Sequence, residues 1–141
     1  KEAVEQASEK ALEVGAKKAL PLPVSAPFHS ALMKPAEIKL QKELDQTKFY
    51  DLSFPVITNY EAKPITKGCH ARSALIKQVC SPVRWSETMQ VLVDQDVERV
   101  IELGPGKVLS GLIKRFNKNI TCYQVGDRES LSQTLTALNC N

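Results

Sequence analysis

The chain has 141 residues, 43% of them hydrophobic and 25% charged, with a net charge of +3. That balance is close to the average for a globular domain with one core, and so small a charge, with lysines scattered among acids, argues against nucleic acid as a partner. No apolar run reaches the ~18 residues of a membrane span and no basic leader with a cleavage site is visible, so no membrane partner and a cytoplasmic location are expected.

In chain order, Val4, Ala7, Ala11 and Val14 form one apolar stripe, which predicts an amphipathic helix over 2–14 closed by Gly15. Residues 16–22 read as a short strand. Next comes Pro23-Val24-Ser25-Ala26-Pro27-Phe28-His29-Ser30, which places one of only two histidines at a proline-framed junction. Pro27 fixes its own φ and pushes Ala26 towards extended geometry, while Ser30 is a good N-cap for the next helix. An imidazole held on so restricted a turn is a candidate general base, since its ordinary pKa of about 6.5 lets it take a proton from a hydroxyl or thiol at neutral pH. A helix-capping or groove-filling histidine is the alternative.

Met33, Ala36, Leu40 and Leu44 then stripe a second helix, with Pro35 near its first turn. A buried strand is expected over 54–59, ended by Ala62-Lys63-Pro64. Two helices come after it, over 69–80 and 85–95, separated by Ser81-Pro82, a dipeptide that does not sit inside a helix. Pro82 has no N–H, so the main-chain carbonyl of Gln78 loses its usual i+4 donor and is free for another. His70, at the start of the first of these helices, has no second ligand at metal spacing and reads as a surface residue.

A strand over 98–103, a helix over 107–117 with Val108, Leu109, Leu112, Ile113 and Phe116 inward, and a strand over 120–125 complete the alternation. A last helix begins near Ser130, with Gln133 at capping-box spacing. Strands separated by helices imply an α/β fold with a mainly parallel sheet covered on both faces. Gly104-Pro105-Gly106-Lys107 lies between strand and helix, where main-chain N–H groups can bind an anion, but it lacks the Gly-Lys-Ser/Thr ending of a P-loop; a tight turn with glycines at positive φ is the simpler reading. Cys69, Cys80, Cys122 and Cys140 contain no C-x-x-C pair, so no metal site and no disulfide framework are expected.

Four segments together carry a resemblance. Residues 20–36, containing Pro27-Phe28-His29-Ser30, resemble the active-site histidine segment of the malonyl-CoA:acyl carrier protein transacylases. Pro55-Val56-Ile57-Thr58-Asn59-Tyr60, then Gln78 with Pro82-Val83-Arg84-Trp85, then Gly104-Pro105-Gly106-Lys107 resemble later segments of that family, in order and along essentially the whole chain. The family's Gly-His-Ser-x-Gly nucleophile elbow, carboxylate-binding arginine and oxyanion-hole glutamine lie upstream and are absent here, so the chain reads as roughly a C-terminal half, with the N-terminal half of the same enzyme as an implied partner.

The resemblance implies residues 1–26 as the end of a ferredoxin-like small subdomain and 27–141 as part of an α/β-hydrolase-like acyltransferase core. It implies malonyl transfer from coenzyme A to the phosphopantetheine thiol of acyl carrier protein in fatty acid biosynthesis, with no metal or redox cofactor. His29 would be the base, and the Gln78 main-chain carbonyl would orient it. Phe28 would limit the acyl pocket, since in related polyketide acyltransferases Phe-His accompanies malonyl and Ser-His methylmalonyl units; packing under the turn is its alternative role. Lys34, Lys39 and Lys42, and separately Lys114, Arg115 and Lys118, either dock the acidic carrier or are simply solvated helix faces. Two other readings stay open: the acyltransferase portion of a larger synthase, and an acyl- or phosphate-binding module without turnover.

Overall fold

A computed structural model describes residues 2–21, 24 and 26–139. Helix α1 (Glu2–Glu13) is amphipathic, and it has no buried residue. Its end is a Schellman motif: Ala16 N donates to Ala11 O at 2.9 Å and Gly15 N to Leu12 O at 3.1 Å, with Gly15 at φ +101°. The expected strand over 16–22 is not formed at residues 16–21, and Leu22, like Pro23, Ser25 and Cys140, lies outside the described residues. Pro21 has no N–H to give a ladder, and no described segment pairs with this stretch.

A 3₁₀ turn (Ala31–Met33) runs into α2 (Lys34–Gln46), with Pro35 in the first turn. Met33, Ala36, Leu40 and Leu44 are half-buried as the stripe requires, and the one residue of the helix more buried than these is Glu37, paired with Lys34. Where a buried strand is expected at 54–59, the structure has a hairpin of β1 (Val56–Ile57) and β2 (Pro64–Ile65), antiparallel, with Val56 opposite Ile65. Pro55 and Pro64 each withhold a donor, so the ladder stays short, and Phe54 and Val56 are 71% and 40% exposed. Ala62 enters the left-handed region, φ +53°, to turn the hairpin.

Helix α3 (Gly68–Gln78) is anchored at its start by Asp51, whose carboxylate accepts from Gly68 N at 3.1 Å and Lys67 Nζ at 2.6 Å. Then come α4 (Trp85–Asp94), β3 (Arg99–Leu103), α5 (Val108–Phe116), β4 (Thr121–Val125) and α6 (Arg128–Ala137). Strands β3 and β4 are parallel, Arg99 opposite Thr121 through Leu103 opposite Val125. Helix α6 starts two residues earlier than expected because Asp127, not Ser130, is the N-cap: Asp127 and Ser130 close a reciprocal capping box, and Gln133 instead donates to Glu129 at 3.3 Å.

The core is small. Met89, Ile113 and Ile120 are buried, with Trp85, Leu92, Val93, Val100 and Cys122 packed on them. The expectation that all of Val108, Leu109, Leu112, Ile113 and Phe116 face inward holds only for Ile113; Val108 is 72% exposed, and Leu103 on β3 78%. One face of the parallel pair is therefore open on its β3 side, at Ile101 and Leu103, not covered as expected, while Tyr123 and Val125 opposite them on β4 are half-buried. The total exposed surface is 11009 Å², about half as much again as the ~7,200 Å² that a compact monomer of 15.6 kDa presents.

Two glycines in helices separate crowding from propensity. A Cβ at Gly68 meets Tyr50 O at 2.5 Å and Tyr50 C at 2.8 Å, both backbone, whereas a Cβ at Gly111 meets nothing within 4 Å. Thermal melts should show Gly68→Ala destabilised by roughly 1–3 kcal/mol and Gly111→Ala stabilised by roughly 0.5–1 kcal/mol.

Candidate active site

Three consecutive turns aim the His29 ring. Phe28 N donates to Ala26 O at 2.9 Å, and Ser30 Oγ donates to Pro27 O at 2.7 Å while accepting from Leu32 N at 3.3 Å. One hydroxyl thus ties both flanks of the histidine, and His29 itself sits at φ +59°. That left-handed geometry is uncommon outside glycine, although His is among the side chains that visit it more often. Such strain persists only where surrounding bonds over-determine it, as Ser30 does here.

From this turn the ring reaches across the fold to the end of α3. His29 Nδ1 lies 3.3 Å from the main-chain oxygen of Gln78. A carbonyl only accepts, so the ring donates from Nδ1 and the neutral tautomer leaves Nε2 as an unprotonated, outward acceptor on an exposed side chain. Gln78 is the last residue of α3. Its carbonyl also receives Ser81 N at 3.3 Å, an i+3 donor in the place of the i+4 donor that Pro82 cannot supply. The two predicted residues are brought together. Phe28, 56% exposed, stands beside them in sequence with its ring largely in solvent.

Around this contact the structure adds parts that periodicity does not show. The Pro82-Val83-Arg84-Trp85 segment is stitched to the hairpin turn, Arg84 N donating to Asn59 O at 3.0 Å and its guanidinium to Glu61 O at 3.3 Å. Lys34 and Glu37, on the helix after the histidine, meet Cys80, two residues beyond Gln78; the hydrogen bonds from Lys34 and Cys80 hold the Glu37 carboxyl below its ordinary range. Burial first, then the bond to Glu37, pushes the Cys80 thiol up, which keeps it protonated and unsuited to act as a nucleophile. An apolar groove of about 400 Å³, lined by Phe49, Leu52, Val56, Ile65, Leu75 and others, opens with Gln78 on its wall.

The Gly104-Pro105-Gly106-Lys107 turn is a strand-to-helix connection with Gly104 at φ +123° and Gly106 at +90°. Its helix N-terminus already holds an anion. The Glu102 carboxylate accepts from Leu109 N at 3.0 Å, Ser110 N at 2.9 Å and Ser110 Oγ at 2.6 Å, in the place a phosphate would take. His70 is exposed, Cys69, Cys80 and Cys122 are free, and no cluster able to hold a metal occurs among the described residues. Among those residues, no helix is long and apolar enough to cross a membrane.

No protein-family model matches the chain. Individual proteins do. A malonyl CoA-acyl carrier protein transacylase of Bacillus subtilis is 47% identical over 98% of the chain, and its Escherichia coli counterpart 43% over 96%. The chain is homologous to these transacylases. It spans 44% of the length of each. The acyl-carrier-protein S-malonyltransferase of Burkholderia pseudomallei superposes with a TM-score of 0.87 at 44% identity, covering 94% of the chain and 43% of that structure. A malonyl-transacylase solved in complex with its type II PKS acyl-carrier protein superposes with a TM-score of 0.90 at 43% identity, covering 97% of the chain and 44% of that one. The α/β architecture, with its parallel pair, is that of the matching part of the transacylases.

Glu102 gives a pH test. The Ser110 side-chain bond first, and then the backbone bonds from Ser110 and its neighbours, lower its pKa in the folded state. A depressed carboxylate contributes stability above its unfolded value of about 4.3, and loses it as pH falls through the folded value. Glu102→Gln should therefore melt lower than the parent at pH 7, with the gap closing as the pH is taken below about 4.

Proposed function

We propose that this chain supplies the histidine half of a malonyl CoA-acyl carrier protein transacylase acting in cytoplasmic fatty acid biosynthesis. The observation that carries the proposal is the His29 Nδ1 contact with the Gln78 carbonyl, which leaves Nε2 available as a base. A serine hydroxyl from a segment outside these 141 residues would attack the malonyl thioester. His29 Nε2 takes its proton and delivers it to the departing coenzyme A thiolate, leaving malonyl-serine. The phosphopantetheine thiol of acyl carrier protein then gives its proton to Nε2 and attacks the ester, and Nε2 passes that proton to the departing serine oxygen, so free serine, neutral His29 and malonyl-carrier result. The main-chain carbonyl stands where the acid of a Ser-His-Asp triad would hold the ring, so the machinery is a dyad with a neutral orienting group.

A thioester is already activated, so this chemistry calls for no metal or redox cofactor. Residues 1–26 would belong to a small ferredoxin-like subdomain and 27–141 to the α/β-hydrolase-like core. The bare face at Ile101 and Leu103, the exposed stripe of α1 and the surplus of surface support a reading in which the other half of the enzyme covers them. Lys34, Lys39 and Lys42 on α2, with Lys114, Arg115 and Lys118 at the end of α5, are exposed and offer cations to an acidic carrier. The Phe28 ring, largely free here, would stand against the acyl α-carbon.

Intact-mass spectrometry of the protein as its gene encodes it, before and after malonyl-CoA, should show a malonyl adduct that acyl carrier protein discharges; absence of any adduct overturns the reading. His29→Asn keeps a residue that tolerates positive φ and removes the base, so the melting temperature should stay and turnover fall about 10²–10⁴-fold. Phe28→Ser should move the kcat/KM ratio towards methylmalonyl-CoA by roughly tenfold or more, the worth of one methyl group.

A further inference from the structure

The orienting role of Gln78 uses only its main chain, a group that every residue has. Its side chain is nevertheless fully engaged on one side. Nε2 donates to Ser81 O at 3.0 Å and to Pro82 O at 3.4 Å. Ser81 N returns a bond to the Gln78 carbonyl at 3.3 Å. Ser81 is thereby tied to Gln78 twice, N–H to main-chain oxygen and carbonyl to side-chain amide, across the residues where Pro82 ends the helical ladder.

The amide orientation is fixed by its partners: turned over, Oε1 would face two carbonyl oxygens. In the observed orientation Oε1 is buried with no hydrogen-bond partner among the described residues, on a residue that lines a mostly apolar groove. Leucine or methionine would fill that wall without orphaning an acceptor, so the feature that favours an amide here is its donor.

We infer that the Gln78 side chain is a positioning group, clamping the Ser81 and Pro82 carbonyls so that the 78–79 peptide cannot swing its oxygen away from His29 Nδ1. The inference rests on the transacylase reading of His29. Losing the clamp frees the peptide plane, costs the ring its acceptor and removes the group that stabilises a proton on Nδ1 in the imidazolium.

The test is made on the protein as its gene encodes it, with Gln78→Met and Gln78→Leu, two uncharged substitutions that keep the main chain, fill the groove wall and lack an amide donor. Both should keep a cooperative melt and a KM for malonyl-CoA within about twofold, while kcat falls at least about tenfold and the acid limb of the kcat/KM profile moves to lower pH. Parent-like kcat and pH profile in either folded variant overturns the inference, and so does loss of the melt in both, which would assign the side chain to folding alone. His29→Asn, run alongside, separates the two ideas: if that variant keeps full turnover the reading of the site fails, and if it is inactive while Gln78→Met is not, only the clamp fails.

Discussion

A proline without an N–H decides the geometry of the point at which His29 meets Gln78. Because Pro82 cannot donate, α3 stops at Gln78, Ser81 folds back to it, and a main-chain oxygen is left facing a ring 49 residues earlier in the chain. The hairpin, the Arg84 stitches and the α2 to α3 packing all serve to keep two distant segments within a hydrogen bond of each other. The ring side is fixed by equally local means, a serine hydroxyl that binds before and behind the histidine. Neither side needs a buried charge.

Much of this is legible in the residues. Helices α1 to α5 announce themselves by stripes and by Gly15, Pro35 and Pro82, which act through local stereochemistry that the rest of the fold does not override. The free Gln78 carbonyl can be anticipated because an absent donor is a property of sequence. Strands are less legible, since a ladder needs a partner: residues 16–21 look extended but pair with nothing described, and the stretch at 54–59 contains Pro55, which cuts the expected strand to two paired residues. The inward face of α5 is misread from sequence for a related reason. Periodicity shows which side is apolar, not whether anything lies against it.

Electrostatics is used here to finish secondary structure. Glu102 caps α5 from the neighbouring strand, Asp127 caps α6 from its own N-cap position and Asp51 caps α3 from a preceding loop. Each puts a carboxylate on orphan N–H groups at the positive end of a helix dipole. These helix starts would otherwise be candidate anion sites; the acids already occupy them.

The parallel pair has a consequence of its own. Among the described residues that sheet has two parallel strands, so β3 and β4 each have one edge without a strand partner, next to Ile101 and the largely exposed Leu103. Such an edge is a template for any extended chain that meets it. Wherever those edges and Leu103 are left uncovered, the same geometry that builds the sheet favours edge-to-edge association between copies of the polypeptide.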